Sequence, residues 1–460
     1  MRTSILFLGL FLGAHAFSPK VRLSEYRYLH EDETYESLET SDLRAEKIQQ
    51  KLDHFDAENN QTFEQNYWHR KTLYELGGPA FIYIGGEGPA HPTFALYRSY
   101  MTRLAEKHGA WVFHIEHRFY GEQPGNMSTE NLVYLSSKQA IEDVAFFIET
   151  MKSKHPQLKN AKWVTFGGSY AGNLAIWSRI LHPELVFAAV GSSAPLLAEV
   201  DFKEYLEIVE KSILRSSLEC GFSVAHGFRT IGDLLKSEEG VAKLESLFGI
   251  DINVTNTESV AQFWQTINMK YMVTVQYAKP RSIENEICKH HLDPTIDILE
   301  KMKRVAEGYK KHVGIKKPNT GSARQTRAWT WQVCTEFGYL QSTNSKFAGP
   351  FFGKCTTTFG PGFNNASIYK AVESTNKYYG GLDLSKSSRL ILPNGDSDPW
   401  HTLGKLSSND PSIVPILIYG GSHCSDIHPV APDDSIYLIE ARKKIAATLD
   451  AWLNDLEVIE

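Results

Sequence analysis

The segment Trp163-Val164-Thr165-Phe166-Gly167-Gly168-Ser169-Tyr170-Ala171-Gly172 constrains this chain more than any other. Trp163 to Phe166, β-branched and aromatic throughout, reads as a buried strand. The small residues that follow permit an abrupt turn, and Leu174 to Leu181 then keeps helical spacing. Such a strand needs neighbours in a sheet, and the sequence supplies them. Phe81 to Ile84, Trp111 to Ile115 and Phe187 to Val190 are similar runs. Between the second and third strands, Ser136-x-x-Gln139 matches a capping box and opens a helix with apolar positions at Ile141, Val144, Ala145, Ile148 and Met151. Strands alternating with helices predict a parallel α/β sheet.

The pattern changes near residue 200. From Phe202 to about Gly380 helical stretches dominate, Phe202 to Leu214 and Ser259 to Tyr277 among them. Strand signals return at Leu390 to Leu392 and Ile416 to Tyr419, and Ile436 to Leu453 reads as a closing helix. The simplest architecture is one α/β domain made from both ends of the chain, interrupted by a mostly helical insertion. The divisions read are 1–16, a signal peptide; 17–48, an N-terminal arm; 49–198, the first part of the α/β domain; 199–380, the insertion; and 381–460, the second part.

The start of the chain carries targeting information. Arg2 precedes an apolar stretch from Ile5 to Gly13, and Ala14-His15-Ala16 is a small-x-small cleavage signal, so cleavage is expected after Ala16. The stretch is too short for a membrane span, which takes about 20 apolar residues. Asn-x-Ser/Thr sequons at Asn60, Asn126, Asn253 and Asn365 fit a secretory route. In that oxidising setting the five cysteines can pair. The pairings read are Cys220 with Cys288 and Cys334 with Cys355, leaving Cys424 over as a small buried thiol. Lys and Arg total 48 against 54 Asp and Glu, a net charge of −6 that argues against a nucleic-acid backbone as partner.

The turn at Ser169 is the context of a nucleophile elbow. It lifts a hydroxyl above the sheet and aims a helix N-terminus at developing negative charge. Ala171 departs mildly from strict Gly-x-Ser-x-Gly. A serine hydroxyl needs an adjacent base oriented by a third group. On this kind of sheet the chain order is Ser, then Asp or Glu, then His. Asn394-Gly395-Asp396-Ser397-Asp398 follows one returning strand and His423 the other. The residues alone leave Asp396 and Asp398 both open as the orienter. His114 and His117 precede the serine and break the order. Lys289-His290-His291 lacks metal-ligand spacing and reads as a solvated helix end.

These segments resemble the serine peptidases that include prolyl carboxypeptidase, dipeptidyl-peptidase II and thymus-specific serine protease. The resemblance runs from Gln50 to the last helix. It rests on Gln50 to Phe55, Phe63 to Trp68, Gly85 to Gly88, Glu116 to Gly121, Gly167 to Gly172, Ser192 to Pro195, Asn394 to Trp400 and Gly421 to His423. Ala171, Asn173 and the run Cys334 to Tyr339 look most like the thymus-specific branch.

The resemblance implies an α/β-hydrolase fold with a helical cap inserted between nucleophile and acid. It also implies a Ser169–Asp398–His423 triad, peptide substrates cut after proline from one end, often in acidic vesicles, no cofactor or metal, and a homodimer. The backbone N–H of Tyr170 and the Gly86 loop would bind the oxyanion. Trp400 resembles a wall of the family's proline pocket. Asn173 stands where the prolyl carboxypeptidase pattern has methionine, and Glu87 could meet a peptide amine or hold its loop. An esterase or lipase with the same triad, and an idle binding protein with the same fold, are the competing readings. The end of the peptide attacked and the residue preferred there have no readable code in the sequence.

Overall fold

The computed structural model describes residues 43–313, 320–342 and 353–454. The segment read as a signal peptide, and residues 17–42 of the arm, lie outside them. Eight strands form the main sheet: β1 (Glu46–Lys51), β2 (Thr62–Arg70), β3 (Ala80–Ile84), β4 (Trp111–Ile115), β5 (Trp163–Gly168), β6 (Ala188–Ser192), β9 (Leu390–Gly395) and β10 (Ile413–Ile418). Their order is β1-β2-β4-β3-β5-β6-β9-β10. β2 runs antiparallel to both β1 and β4, while β3 to β10 are parallel. The run of parallel strands is what the alternation of strands and helices predicted, and the order with its antiparallel second strand is that of the α/β-hydrolase fold implied by the family resemblance.

Side chains alternate across the strands and feed a core on each face. Phe81, Tyr83, Val164 and Phe166 pack against α1 (Tyr100–His108) and α11 (Ile436–Leu453). Ile82, Ile84, Phe113 and Trp163 pack against α2 (Ser137–Lys154) and α3 (Tyr170–Leu181). Ser136 caps α2, its hydroxyl accepting from Gln139 N. The Gln139 side chain does not complete the box; it holds His54 N and the Asp53 carboxylate instead.

β6 pairs directly with β9, so everything between them is an insertion in the sheet. It contains α4 (Glu204–Ser216), α5 (Leu218–Leu234), α6 (Glu238–Phe248), α7 (Thr257–Gln276), α8 (Ile298–Val313), α9 (Thr320–Gln332) and α10 (Asn365–Tyr379). A parallel pair, β7 (Glu199–Phe202) and β8 (Gly338–Gln341), had no signal in the sequence reading and joins the start of this region's chain to a later stretch of it. Disulfides join Cys220 to Cys288 and Cys334 to Cys355, and Cys424 is free and buried. No helix among the described residues is long and apolar enough to cross a membrane.

The β1–β2 hairpin starts at Glu46, inside the stretch read as the arm. A buried cluster fastens it. Arg118 Nε and a terminal nitrogen lie 2.7 and 2.6 Å from the two Asp143 carboxylate oxygens. The same guanidinium donates to the carbonyls of Lys51, Leu52 and Tyr134, and His54 Nε2 meets Asp143 Oδ1 at 2.8 Å. Burial alone would raise the Asp143 pKa; the Arg118 charge and its hydrogen bonds outweigh it and hold the carboxyl below its usual range.

Candidate active site

Ser169 heads α3 with φ 59° and ψ −131°, a conformation L-residues rarely adopt. Its N–H is held by Ser192 O at 2.9 Å, at the end of neighbouring β6. The sharp turn brings the chain back on itself: a Cβ on Gly167 would sit 2.1 Å from Ala171 O, so only glycine fits there. Ala171, the departure from the motif, faces Gly86, where an added Cβ would come within 3.3 Å of the Ala171 methyl. A glycine opposite makes room for the alanine. Tyr170 is the first helical residue, so its N–H has no acceptor within α3. Ser169, Gly168, Ala171, Gly85 to Pro89 and Tyr277 line one cleft. Glu87 is part of this lining, and Tyr277 comes from the insertion.

The returning strands bring Asp398 and His423 together. His423 Nδ1 lies 2.7 Å from Asp398 Oδ2, and both residues are buried. Asp398 Oδ1 accepts the Trp400 N–H at 3.0 Å. Asp396, the other candidate, points elsewhere. It accepts from Arg215 at 2.9 and 3.0 Å and from Gly420 N at 2.7 Å. The His423 main chain is tied to the insertion, its N–H donating to Gln276 O. The next residue is tied to β6, Cys424 N donating to Ser193 Oγ at 2.9 Å. Burial opposes the imidazolium, but the Asp398 carboxylate outweighs it and raises the His423 pKa above the ordinary imidazole range. No hydrogen bond joins His423 to Ser169 in this structure; such contacts commonly tighten only when substrate binds.

The other residues singled out fall into place around this centre. Trp400 is 7 % exposed and packs among Phe202, Tyr205 and Tyr339, with its ring 6.5 Å from that of His423. Its indole N–H donates to Gln276 Oε1. Asn173 is fully buried and donates to Pro195 O at 3.0 Å and Tyr339 Oη at 3.3 Å. His114 and His117 are buried, and burial pushes each pKa down to about 4, leaving both neutral. The Lys289-His290-His291 reading is corrected: His291 is buried, not solvated. It bonds Tyr271 Oη at 2.8 Å and Ser223 Oγ at 3.1 Å, because α7 and α5 pack over it. The four sequon asparagines are all exposed. Sequence reasoning missed Tyr277 and Gln276, which sit at the end of α7 without any local motif.

Residues 50–445 match the family described as Serine carboxypeptidase S28. A Caenorhabditis elegans protein with a provisional serine-protease name is 46 % identical over 88 % of this chain and 87 % of its own. The thymus-specific serine protease of Mus musculus is 33 % identical over 89 % of this chain and 87 % of its own. The lysosomal Pro-X carboxypeptidase of the same species is 25 % identical over 99 % of this chain and 98 % of its own.

Proposed function

The chain belongs to the serine carboxypeptidase S28 family and is a serine-type peptidase, and from that premise we propose that it is a secretory-pathway exopeptidase cutting after proline with Ser169, His423 and Asp398 as its triad. The observation that carries the triad is the buried Asp398–His423 pair, anchored through Cys424 and Ser193 to the strand end that also holds the strained Ser169. His423 takes the Ser169 proton as the hydroxyl attacks the scissile carbonyl. Asp398 holds the proton on Nδ1, leaving Nε2 free to act as base, and stabilises the imidazolium. The tetrahedral oxyanion is received by the N–H groups of Tyr170 and Gly86. One such donor is worth roughly 10²–10³ in rate. His423 then protonates the leaving amine, and water releases the acyl-enzyme by the same steps in reverse order.

The post-proline preference draws on the relative named as a Pro-X carboxypeptidase and on the flat aromatic group around Trp400, which suits a pyrrolidine ring. Asn173 makes that neighbourhood more polar than a methionine would. Residues 199–380 act as a cap, supplying Tyr277 to the cleft. Entry into the secretory pathway is supported by the leader sequence, the two disulfides and four exposed sequons.

The test is turnover at about pH 5 and pH 7, which brackets an ordinary imidazole. The substrates are an Xaa-Pro dipeptidyl amide, a blocked peptide ending in Pro-Xaa, and the same two with Ala for Pro. Cleavage of one proline substrate alone, lost in Ser169→Ala, is the expected result and also gives the end attacked. Equal cleavage of the alanine peptides would overturn the proline preference. Absence of fluorophosphonate labelling at Ser169 would overturn the triad.

A further inference from the structure

Tyr170 has two ends. Its N–H is the oxyanion donor of the reading above, on which this inference rests. Its side chain is 1 % exposed and turned into a polar cluster that the triad does not use. The phenol oxygen lies 3.0 Å from His117 Nε2, on the loop after β4, and 2.9 Å from Gln332 Nε2, at the end of α9 in the insertion. Trp329 and Phe337, also from the insertion, pack on its ring at 5.7 and 5.3 Å.

The direction of every hydrogen bond follows from chemistry. His117 Nδ1 lies 2.7 Å from Arg118 O, which can only accept, so Nδ1 carries the proton and Nε2 is a bare acceptor. Tyr170 must therefore donate to His117. Gln332 Oε1 accepts from Tyr120 Oη at 2.6 Å, which turns its NH₂ group toward Tyr170 and toward Glu336 Oε2 at 2.9 Å. Glu336 also accepts from the N–H and hydroxyl of Ser137, at the start of α2. The chain thus runs from the insertion, through one phenol, into the loop after β4. Each member is buried, and removing the phenol strands an acceptor on one side and a donor on the other.

We propose that Tyr170 is a positioning residue: clamped between His117 and Gln332, its side chain sets the orientation of the first peptide unit of α3 and hence the aim of its own N–H at the oxyanion. That N–H has no intrahelical partner to orient it. It follows the strained Ser169, so the side chain is its second constraint. Because Gln332 belongs to the insertion, the seating of the insertion is thereby transmitted to the oxyanion site.

The experiment uses the full chain as wild type, Tyr170→Phe, Gln332→Met, the double variant and, as the labelling control, Ser169→Ala. It measures kcat and KM on 4-nitrophenyl acetate, the rate of Ser169 labelling by a fluorophosphonate, and Tm. A phosphoryl oxygen must enter the same hole, so labelling reads the donor without regard to peptide preference. Tyr170→Phe should lower kcat and labelling rate together by about 10- to 100-fold, with KM within about twofold. Gln332→Met should fall in the same direction by less, and the double variant should be no worse than Tyr170→Phe. Unchanged rates with a lowered Tm would overturn the proposal and leave the phenol a structural role. If Tyr170→Phe does not fold, Gln332→Met decides by the same readings. Labelling that persists in Ser169→Ala would instead place the failure in the nucleophile assignment.

Discussion

Among the described residues, two aspartate–histidine pairs have nearly the same length and a buried carboxylate. His423 meets Asp398 at 2.7 Å, and His54 meets Asp143 at 2.8 Å. Their surroundings differ in one decisive respect. Asp143 is neutralised by the Arg118 guanidinium, which grips both carboxylate oxygens. Among the described residues, Asp398 has only the Trp400 N–H on its other oxygen, so its charge is directed at His423. The first arrangement fastens a hairpin and leaves the histidine a passenger. The second keeps an imidazole oriented and basic. A short Asp–His contact therefore does not by itself mark a catalytic pair; under the proposed triad, the absence of a competing cation is what sets Asp398–His423 apart.

Four substitutions and a pH profile sharpen this contrast. Ser169→Ala should remove about 10⁶ in kcat while leaving Tm nearly unchanged, since it deletes only the nucleophile. Asp398→Asn should cost about 10⁴ in kcat, because an amide favours the wrong imidazole tautomer, with a fall in Tm confined to pH below the raised His423 pKa. Asp143→Asn should do the reverse, lowering stability by about 3–5 kcal/mol by leaving Arg118 buried without its counter-charge. Chemical denaturation would show that loss, and kcat per folded molecule should hold. If Asp143→Asn instead lost kcat at full stability, the contrast would collapse.

The pH dependence carries the next largest effect. The Asp398 charge raises the folded-state pKa of His423, and a base must be neutral. The acid limb of kcat/KM should therefore lie above about 6.5, the ordinary imidazole value, and move toward acid in Asp398→Asn. For stability the sign is opposite: the pair stabilises the fold fully below about 6.5, and the contribution fades as pH rises through the raised pKa. Last, His54→Leu should cost about 1.5–3 kcal/mol, the worth of one charge-assisted hydrogen bond, with no change in kcat. A limb at the same pH in wild type and Asp398→Asn would separate Asp398 from His423 functionally.

Much of this was legible beforehand because it is written locally. The elbow needs Gly167 for a close approach, the strands are apolar runs, and the order serine, acid, histidine follows the sheet. The choice between Asp396 and Asp398 was not local: Arg215, on a helix of the insertion, draws Asp396 away. The β1–β2 hairpin escaped notice because Glu46–Lys51 is polar, with only alternate residues buried, and its anchor Arg118 lies far along the chain. The motifs Gln50 to Phe55 and Glu116 to Gly121 carried the family resemblance without a reason. The buried Arg118–Asp143–His54 cluster supplies one.

By itself the sequence determined the fold class, the residue types of the site and their order, since strand periodicity, turn sterics and the chemistry of an activated serine depend on neighbours in the chain. The residues alone left open which carboxylate faces His423, and the family resemblance named Asp398; only the tertiary structure showed why, which histidine is held merely as an acceptor, and how the insertion reaches the elbow through Tyr170. Those outcomes depend on which charges and hydrogen-bonding groups from distant segments meet once water is excluded, where an uncompensated charge or unpaired polar group is costly and pairing becomes selective.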